Sequence, residues 1–577
     1  MLGGDVGLEL GARVAAAVDA ALGVRITPEE ALIRPAAPGR GADYQCNAAM
    51  GLAKRVGRPA REVAADVVAH LDAADLAEPP EVAGPGFVNF ALRRDWLEAR
   101  LADLAADERL GVPAAAEPRR YAIDYGSPNV AKEMHVGHLR SAIIGDAVVR
   151  LLEFAGHDVV RHNHLGDWGT PFGMLIEHLT ELDAGGSAGH SIGDLNAFYQ
   201  AARRKFDGDP DFADRARRRV VALQSGDEET LSLWRELVRA SEQHFAEVYA
   251  LLDVKLDDDD YYGESFYNPF LDEVVEELAA AGLTEVSDGA VCVFLPGFVN
   301  RDGQRLPLIV RKSDGGYGYA ATDLATVRYW TRDRKATDLL YVVGTPQAQH
   351  FRMIFETAAR MGWLDDDHHA VHIGFGSVLG EDGKVLRTRA GGAVKLVSLL
   401  REAVDRAAAV IAERAELPDE LRADVARAVG IGAVKYADLS GDREKDYVFA
   451  WDRMLAMEGN TSVYVQYANA RARSVLSRAG HTGGAVSLDS PIERALAVKL
   501  LQLPAAVATA VAEFAPHKLC TYLYETAVAF SAFYEHCPIL KAPDDRTRDS
   551  RLALAHLSSR TLTLGLSLLG IAAPAAL

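Results

Sequence analysis

The chain has 577 residues and a formal net charge of −20, from 62 lysines and arginines against 82 aspartates and glutamates. That length implies on the order of two to four domains, and the acidic sum excludes a surface that is basic all over while leaving room for a local basic track. Cys46, Cys292, Cys520 and Cys537 lie far apart with no C-x-x-C pair, which argues against a zinc or disulfide framework and for a reducing cytoplasm.

No basic region followed by an apolar core opens the chain, so a secretory leader is not expected. Residues 1–117 read as a small α/β unit of their own. Ala-rich helical segments at residues 12–22 and 59–71 flank the polar word Gly41-Ala42-Asp43-Tyr44-Gln45-Cys46-Asn47. Residues 81–90 pass through a Gly/Pro turn into a strand, and residues 113–118 form a Pro/Ala linker.

Residues 120–156 read as strand, turn and helix. Tyr121, Ile123 and Tyr125 alternate as in a strand, and Ser127-Pro128-Asn129 breaks it. Leu139, Ile143, Ala147, Val148, Leu151 and Leu152 then recur at helical spacing up to Gly156. His135, Gly137 and His138 therefore stand at a helix N-terminus that follows a strand. Free backbone N–H groups and the positive end of the helix dipole suit an anionic phosphate there. Imidazoles add donors, and Gly137 lets a flat base approach the backbone. On pattern alone, two histidines beside a glycine fit an ordinary surface as well.

A second strand at 158–161 leads into residues 163–170. Strand, helix, strand in that order predicts a parallel sheet of Rossmann type, with its ligand outside the strand C-termini. Neither G-x-G-x-x-G nor a P-loop is present, so the H-x-G-H turn must supply the phosphate site. Residues 181–290 interrupt the sheet. Most of 191–256 is amphipathic helix, and the acidic run at 257–260, lacking calcium-loop spacing, reads as a solvated loop. Segments 291–295 and 306–311 form a hairpin. Tyr319 and Asp323 then share one helix face. Strands follow at 339–344 and 371–375, and Gln347 lies where a helix opens after the first.

The Gly-bounded basic loop at 380–391 carries Lys384, Arg387 and Arg389, a natural clamp for a triphosphate if it is more than a surface loop. From about residue 393 the pattern is helical to the end. Tyr464 and Tyr467 lie one turn apart. That spacing fits a core, but Arg471 and Arg473 beside them favour a surface that stacks bases and holds phosphates. The uncharged stretch 561–577 reads as a buried terminal helix, not a membrane span.

The word Ser127-Pro128-Asn129-Val130-Ala131-Lys132-Glu133-Met134-His135-Val136-Gly137-His138-Leu139-Arg140-Ser141 resembles the HIGH signature of class I aminoacyl-tRNA synthetases, in the form typical of the arginyl enzymes. Words matching that family run in order through nearly the whole chain. The resemblance implies an α/β Rossmann-type catalytic domain at 118–392 with an insertion at about 181–290. A small α/β N-terminal domain at 1–117 would touch tRNA, and an all-α anticodon-binding domain would span 393–577. It implies ATP-dependent activation of L-arginine and transfer of the arginyl group to the 3′ end of tRNA(Arg). Mg²⁺ would accompany ATP, and the protein would be a cytoplasmic monomer with no membrane partner.

Residue by residue, the resemblance places His135, His138, Lys132, Lys384, Arg387 and Arg389 at the reacting phosphates, and Asn129, His135, Gly137 and His138 at ATP. Asp124, Ser127, Asn129, Tyr319, Asp323 and Gln347 would hold arginine. Tyr44, Gln45, Asn47, Tyr464, Tyr467 and Arg471 would meet tRNA. The loop at 380–391 resembles a degenerate KMSKS signature, in which Arg389 or its neighbours occupy the place of the second lysine and Lys132 supplies the missing cation. Where relatives usually carry Ser, this chain has Gly126, one hydroxyl fewer at the lip of the site. A pathway-specific or inhibitor-resistant paralogue would share every motif. A non-catalytic tRNA-binding derivative would not need His135, Gly137, His138 and Asp323.

Overall fold

The computed structural model describes residues 5–36, 41–169, 171–184, 195–387, 394–414 and 418–577. At the N-terminus, α1 (Val6–Leu22) begins where the Asp5 carboxylate accepts hydrogen bonds from the amides of Gly7 and Leu8. Its Leu10, Val14 and Val18 share a core with α2 (Ala48–Val56) and α3 (Ala60–Ala69). Strands β1 (Ile33–Pro35), β2 (Tyr44–Cys46), β3 (Glu81–Ala83) and β4 (Phe87–Phe90) pair antiparallel in the order β1-β2-β4-β3. Helix α4 (Arg94–Ala106) leads out of this unit.

The central sheet is parallel and five-stranded, in the order β12-β11-β5-β6-β7. Its strands are β5 (Arg120–Asp124), β6 (Asp158–Leu165), β7 (Tyr261–Gly263), β11 (Asp338–Tyr341) and β12 (His369–His372). Helix α5 (Val136–Phe154) crosses from β5 to β6. Four helices follow: α6 (Pro171–Ala184), α7 (Leu195–Gly208), α8 (Pro210–Gln224) and α9 (Glu228–Leu252). After β7 come α10 (Glu264–Tyr267), α11 (Leu271–Ala280), the antiparallel strands β8 (Thr284–Ser287), β9 (Ala290–Val299) and β10 (Arg305–Arg311), then α12 (Tyr319–Arg328). Helix α13 (Ala348–Arg360) joins β11 to β12.

Two details differ from the sequence reading. β7 joins the central sheet from inside the stretch read as one insertion, so the sheet is interrupted twice. The acidic run at 257–260 is also not simply solvated. Asp260 is buried and takes the Arg161 guanidinium at 2.8 Å, which ties the run to β6.

In the C-terminal half, beyond residue 393, the described residues are helical apart from one short strand, β14 (Tyr447–Val448), which pairs parallel with β13 (Val378–Leu379) from ahead of the basic loop. The helices of this half are α14 (Leu396–Arg414), α15 (Asp419–Leu439), α16 (Trp451–Met454), α17 (Ser462–Ala479), α18 (Pro491–Leu500), α19 (Leu503–Ala512), α20 (Pro516–His536) and α21 (Asp545–Leu568). Leu562, Leu566, Leu569 and Ile571 are buried, as the apolar end of the sequence requires. The N-terminal unit docks on this half through Asp43–Arg494 and Arg94–Asp489, and Arg560 donates to the Asp107 carbonyl.

Candidate functional site

The chain leaves β5 toward β6 on one side and returns at β11 on the other. The crevice beyond the carboxyl ends of β5 and β11 is therefore the topological switch point, where open α/β sheets bind ligands. Ser141, on α5, stitches its two lips together. Its hydroxyl accepts the Gly126 amide at 2.8 Å and donates to the Val342 carbonyl at 2.7 Å. Gly126 has φ +88°, and a Cβ there would lie 2.6 Å from the Tyr249 hydroxyl. The volume that a serine side chain would take is thus filled from α9.

His135 is the N-cap of α5, and its Nδ1 accepts the Gly137 amide at 3.0 Å. His138 Nδ1 accepts the His135 amide at 3.1 Å. An Nδ1 that accepts an N–H carries no proton, so in the neutral rings the proton sits on Nε2. Burial lowers the His135 pKa, with the Lys132 charge adding to it. Burial and then His135 push His138 down to about 3. At neutral pH both rings are therefore uncharged donors, their centroids 4.1 Å apart. Helix α9 braces the turn from below: Ser241 Oγ accepts the Ala131 amide and His244 Nε2 the Met134 amide.

The basic loop is fixed at both ends to this turn and crevice. Before it, the Thr345 amide donates to the Phe375 carbonyl at 2.9 Å. After it, the Val136 amide donates to the Val394 carbonyl and the Leu396 amide to the Met134 carbonyl. Lys384 and Arg387 are exposed, with no ion pair among the described residues. Arg389 lies outside the described residues. Lys132 is exposed, and its ammonium sits 4.8 Å from the ring centre of Tyr199 on α7.

Next to the turn lies an acidic hollow. Asp124, at the end of β5, is 8% exposed and accepts the Ser127 hydroxyl at 2.9 Å. Burial raises its pKa to about 6, with Asp323 adding to the rise while His164 and Ser127 oppose it. Burial likewise lifts Glu264 to about 7, with Asp167 and Asp323 adding and His164 opposing. Asp323, on α12, is hydrogen-bonded to His350 Nε2 at 2.6 Å. Burial disfavours the His350 cation, but the hydrogen bond and charge of Asp323 outweigh it and raise its pKa. Asp323 thus acts on both Asp124 and Glu264 in a partly dry cleft, an arrangement that calls for cationic ligands. Tyr319 stands one turn before Asp323, 77% exposed, and Gln347 and Asn129 are exposed at the lips.

Sequence reasoning singled out neither Glu264 nor His350. Glu264 sits behind β7, a strand too short for the pattern to show. His350 shares a word with Gln347, but its partner Asp323 is 27 residues away.

The residues expected at tRNA fall out unevenly. Tyr44 is 3% exposed, paired opposite Phe90 and hydrogen-bonded to Gln502, so its ring is closed to a base. Gln45 faces the other way, and its amide donates to Asn89 Oδ1 at 2.8 Å. Strand alternation puts the two side chains on opposite faces. Asn47 keeps a buried Oδ1 with no hydrogen-bond partner among the described residues. On α17, Tyr464 and Tyr467 are half-buried. The Arg471 guanidinium lies 4.5 Å from the Tyr467 ring centre and 5.2 Å from that of Tyr534 on α20. That stack of rings and a cation suits unpaired bases.

Residues 100–451 match the family described as tRNA synthetases class I (R), catalytic domain. Residues 465–577 match the DALR anticodon binding domain, and residues 9–92 the arginyl tRNA synthetase N terminal domain. An arginine–tRNA ligase of Thermobifida fusca is 54% identical over 571 residues, covering 98% of each chain. Among solved structures, the arginyl-tRNA synthetase of Plasmodium falciparum superposes with a TM-score of 0.86 at 28% identity, covering 100% of both chains. That of Thermus thermophilus gives 0.80 at 26% identity, covering 99% of this chain and 100% of its own.

Proposed function

Because the chain belongs to the arginyl-tRNA synthetase family, we propose that it activates L-arginine with ATP and ligates it to the 3′ end of tRNA(Arg). One observation carries the reading: two neutral imidazoles at a helix N-terminus and an acidic hollow converge on one switch point. In the first step an arginine carboxylate oxygen bonds to the α-phosphorus of ATP, and the bond to the β-phosphate oxygen breaks. Arginyl-adenylate forms and pyrophosphate leaves. In the second step the terminal ribose hydroxyl of tRNA bonds to the acyl carbon and passes its proton to the adenylate phosphate, the acyl–phosphate bond breaks, and AMP leaves. No side chain need become a covalent nucleophile, so catalysis rests on placement and charge stabilisation.

The Nε2–H groups of His135 and His138 donate to phosphate oxygens, and the α5 amides add a fixed positive potential. Gly137 leaves room for the base, and Asn129 sits at the same lip. Lys384, Arg387 and Arg389 neutralise the departing pyrophosphate, with Lys132 as a further cation. The residues bordering the phosphates are donors and cations, so Mg²⁺ would be held by ATP's own oxygens. Asp323 and Glu264 take the guanidinium fork, and Tyr319 closes over its face. Asp124, Ser127, Asn129 and Gln347 orient the ammonium and carboxylate of arginine. A neutral or ammonium analogue would leave buried acceptors unpaired, so the site needs no separate editing step.

In this reading residues 1–117 guide tRNA through Gln45 and Asn47, 118–392 do the chemistry, and 393–577 read the anticodon through Tyr464, Tyr467 and Arg471. One chain supplies every part, so a monomer suffices, and the four free cysteines suit the cytoplasm. The test is charging of tRNA(Arg) with labelled arginine. The product should be an alkali-labile ester at the 3′ end, formed by the wild-type chain and nearly abolished in His138→Ala. Failure of the pure, folded chain to charge any tRNA(Arg) would refute it.

A further inference from the structure

Helix α5 carries the two histidines at one end and two buried charges along its length. Arg140, two residues after His138, is 2% exposed. Its Nε meets Asp438 Oδ1 on α15 at 3.2 Å, and its Nη1 donates to the Lys445 carbonyl at 2.9 Å. Its guanidinium lies 5.7 Å from the ring centre of Phe375 and 5.3 Å from that of Tyr447. One turn and a half further along, Asp146 is fully buried 3.7 Å from Lys435, also on α15, and takes Arg150 at 2.8 Å. Lys435 donates on to the Leu252 carbonyl at the end of α9.

The charges run plus then minus along both α5 and α15, and because the helices lie antiparallel each charge meets its opposite. Sliding α15 by one turn would bring Lys435 against Arg140. The pairs therefore fix the register of the two helices, the best-attested use of buried charge.

The same node holds the root of the basic loop. The segment after α15 straps residues 376–379: the Gly376 amide donates to the Arg443 carbonyl, Tyr447 to Ser377, and Phe449 to Leu379. The Ser377 amide donates to Asp446. A Cβ on Gly376 would lie 2.6 Å from Asp446 and from the backbone of Lys445, so the strap fits only a glycine. Arg140 thus lies on the histidine helix, against Phe375 just ahead of the strapped residues 376–379, and against Asp438 in the half of the chain that faces the anticodon.

We propose that Arg140 and Asp438 are a positioning pair that sets the histidine turn and residues 376–379, which lead into the basic loop, against each other from the anticodon half. This rests on the arginine-activating reading above. A mere dock between helices would set stability. A positioning pair would set the rate of adenylate formation in protein that is fully folded.

The test is the double variant Arg140→Met/Asp438→Leu, which removes both charges and leaves neither orphaned. The expected result is a wild-type circular dichroism spectrum, arginine KM and tRNA affinity within about threefold, and a kcat for arginine-dependent pyrophosphate exchange at least tenfold lower. A folded double variant with wild-type kcat would overturn the proposal. A wild-type chain inactive in the same assay would instead overturn the underlying functional reading. Hydrogen exchange on the wild-type chain gives a test that needs no variant. A non-hydrolysable ATP analogue with arginine should slow exchange of the amides at 376–379 and 443–449, and unchanged exchange in both segments would also refute the pairing.

Discussion

Asp323 offers the sharpest test of how the acidic hollow selects its substrate. Asp323→Asn keeps the size of the side chain and one acceptor oxygen but removes the charge. His350 occupies one carboxylate oxygen at 2.6 Å, which leaves the other for a guanidinium. Two unit charges about 4 Å apart at an effective dielectric near 20 interact by about 4 kcal/mol. A hydrogen bond to a charged group contributes about 1.5–3 kcal/mol. The two estimates describe one contact and do not add. Glu264 remains, and the asparagine oxygen still accepts, so about 3 kcal/mol is the expected loss. That predicts a fall of roughly two orders of magnitude in kcat/KM for arginine. The assay is pyrophosphate exchange at saturating ATP and tRNA with arginine varied. The ATP KM is the internal control and should move by less than about threefold. An arginine kcat/KM within threefold of wild type, or an equal rise in ATP KM, would refute the assignment of Asp323 to the guanidinium.

Further outcomes are expected at the histidine turn, Asp124 and Gly126. Removing one preorganised donor at His138, as His138→Ala, should slow adenylate formation by about 10²–10³-fold. Because His138 is pushed down to about 3 and His135 is also lowered, neither of these two rings should give the wild-type rate an inflection between about pH 6.5 and 9. Asp124, held up to about 6 by burial against an unfolded value near 3.8, should bind arginine less well as pH falls through about 6. Its sign for stability is the reverse. The native state holds this proton more tightly than the unfolded chain, so stability is full below about pH 4 and drops by about 3 kcal/mol as pH rises through 6. Asp124→Asn should then melt higher than wild type at pH 7.5 while its arginine KM rises, as thermal melts and exchange kinetics would show. Gly126→Ser, at φ +88° and against the Tyr249 hydroxyl, should cost about 1–3 kcal/mol. Tyr249→Phe should recover the part of that loss due to crowding, read from melting temperatures of the single and double variants.

The histidine turn was legible because its chemistry is local. A strand, a breaker and a helical repeat place His135 and His138 at a helix N-terminus without any knowledge of the fold. Their neutrality was not legible, because it depends on burial and on which ring nitrogen meets a backbone amide. Tyr44 shows the opposite error. Adjacent residues of a strand point to opposite faces, so Tyr44 and Gln45 cannot both meet tRNA as the resemblance implies. Glu264, His350 and the Arg140–Asp438 pair acquire meaning only when segments tens to hundreds of residues apart are folded together. The acidic run at 257–260 had the composition of a solvated loop, yet Arg161 on β6 makes Asp260 a buried partner. The basic loop was found by composition, and what locates it is the pairing of its two flanks with residues 134–136 and 345.

The most direct measurement is ATP–pyrophosphate exchange by the purified chain with tRNA(Arg), run separately with each of the twenty amino acids. The account predicts exchange with arginine, and none above background with lysine or any other. Exchange driven equally by another amino acid, or by none in a chain that binds ATP and tRNA, would contradict it.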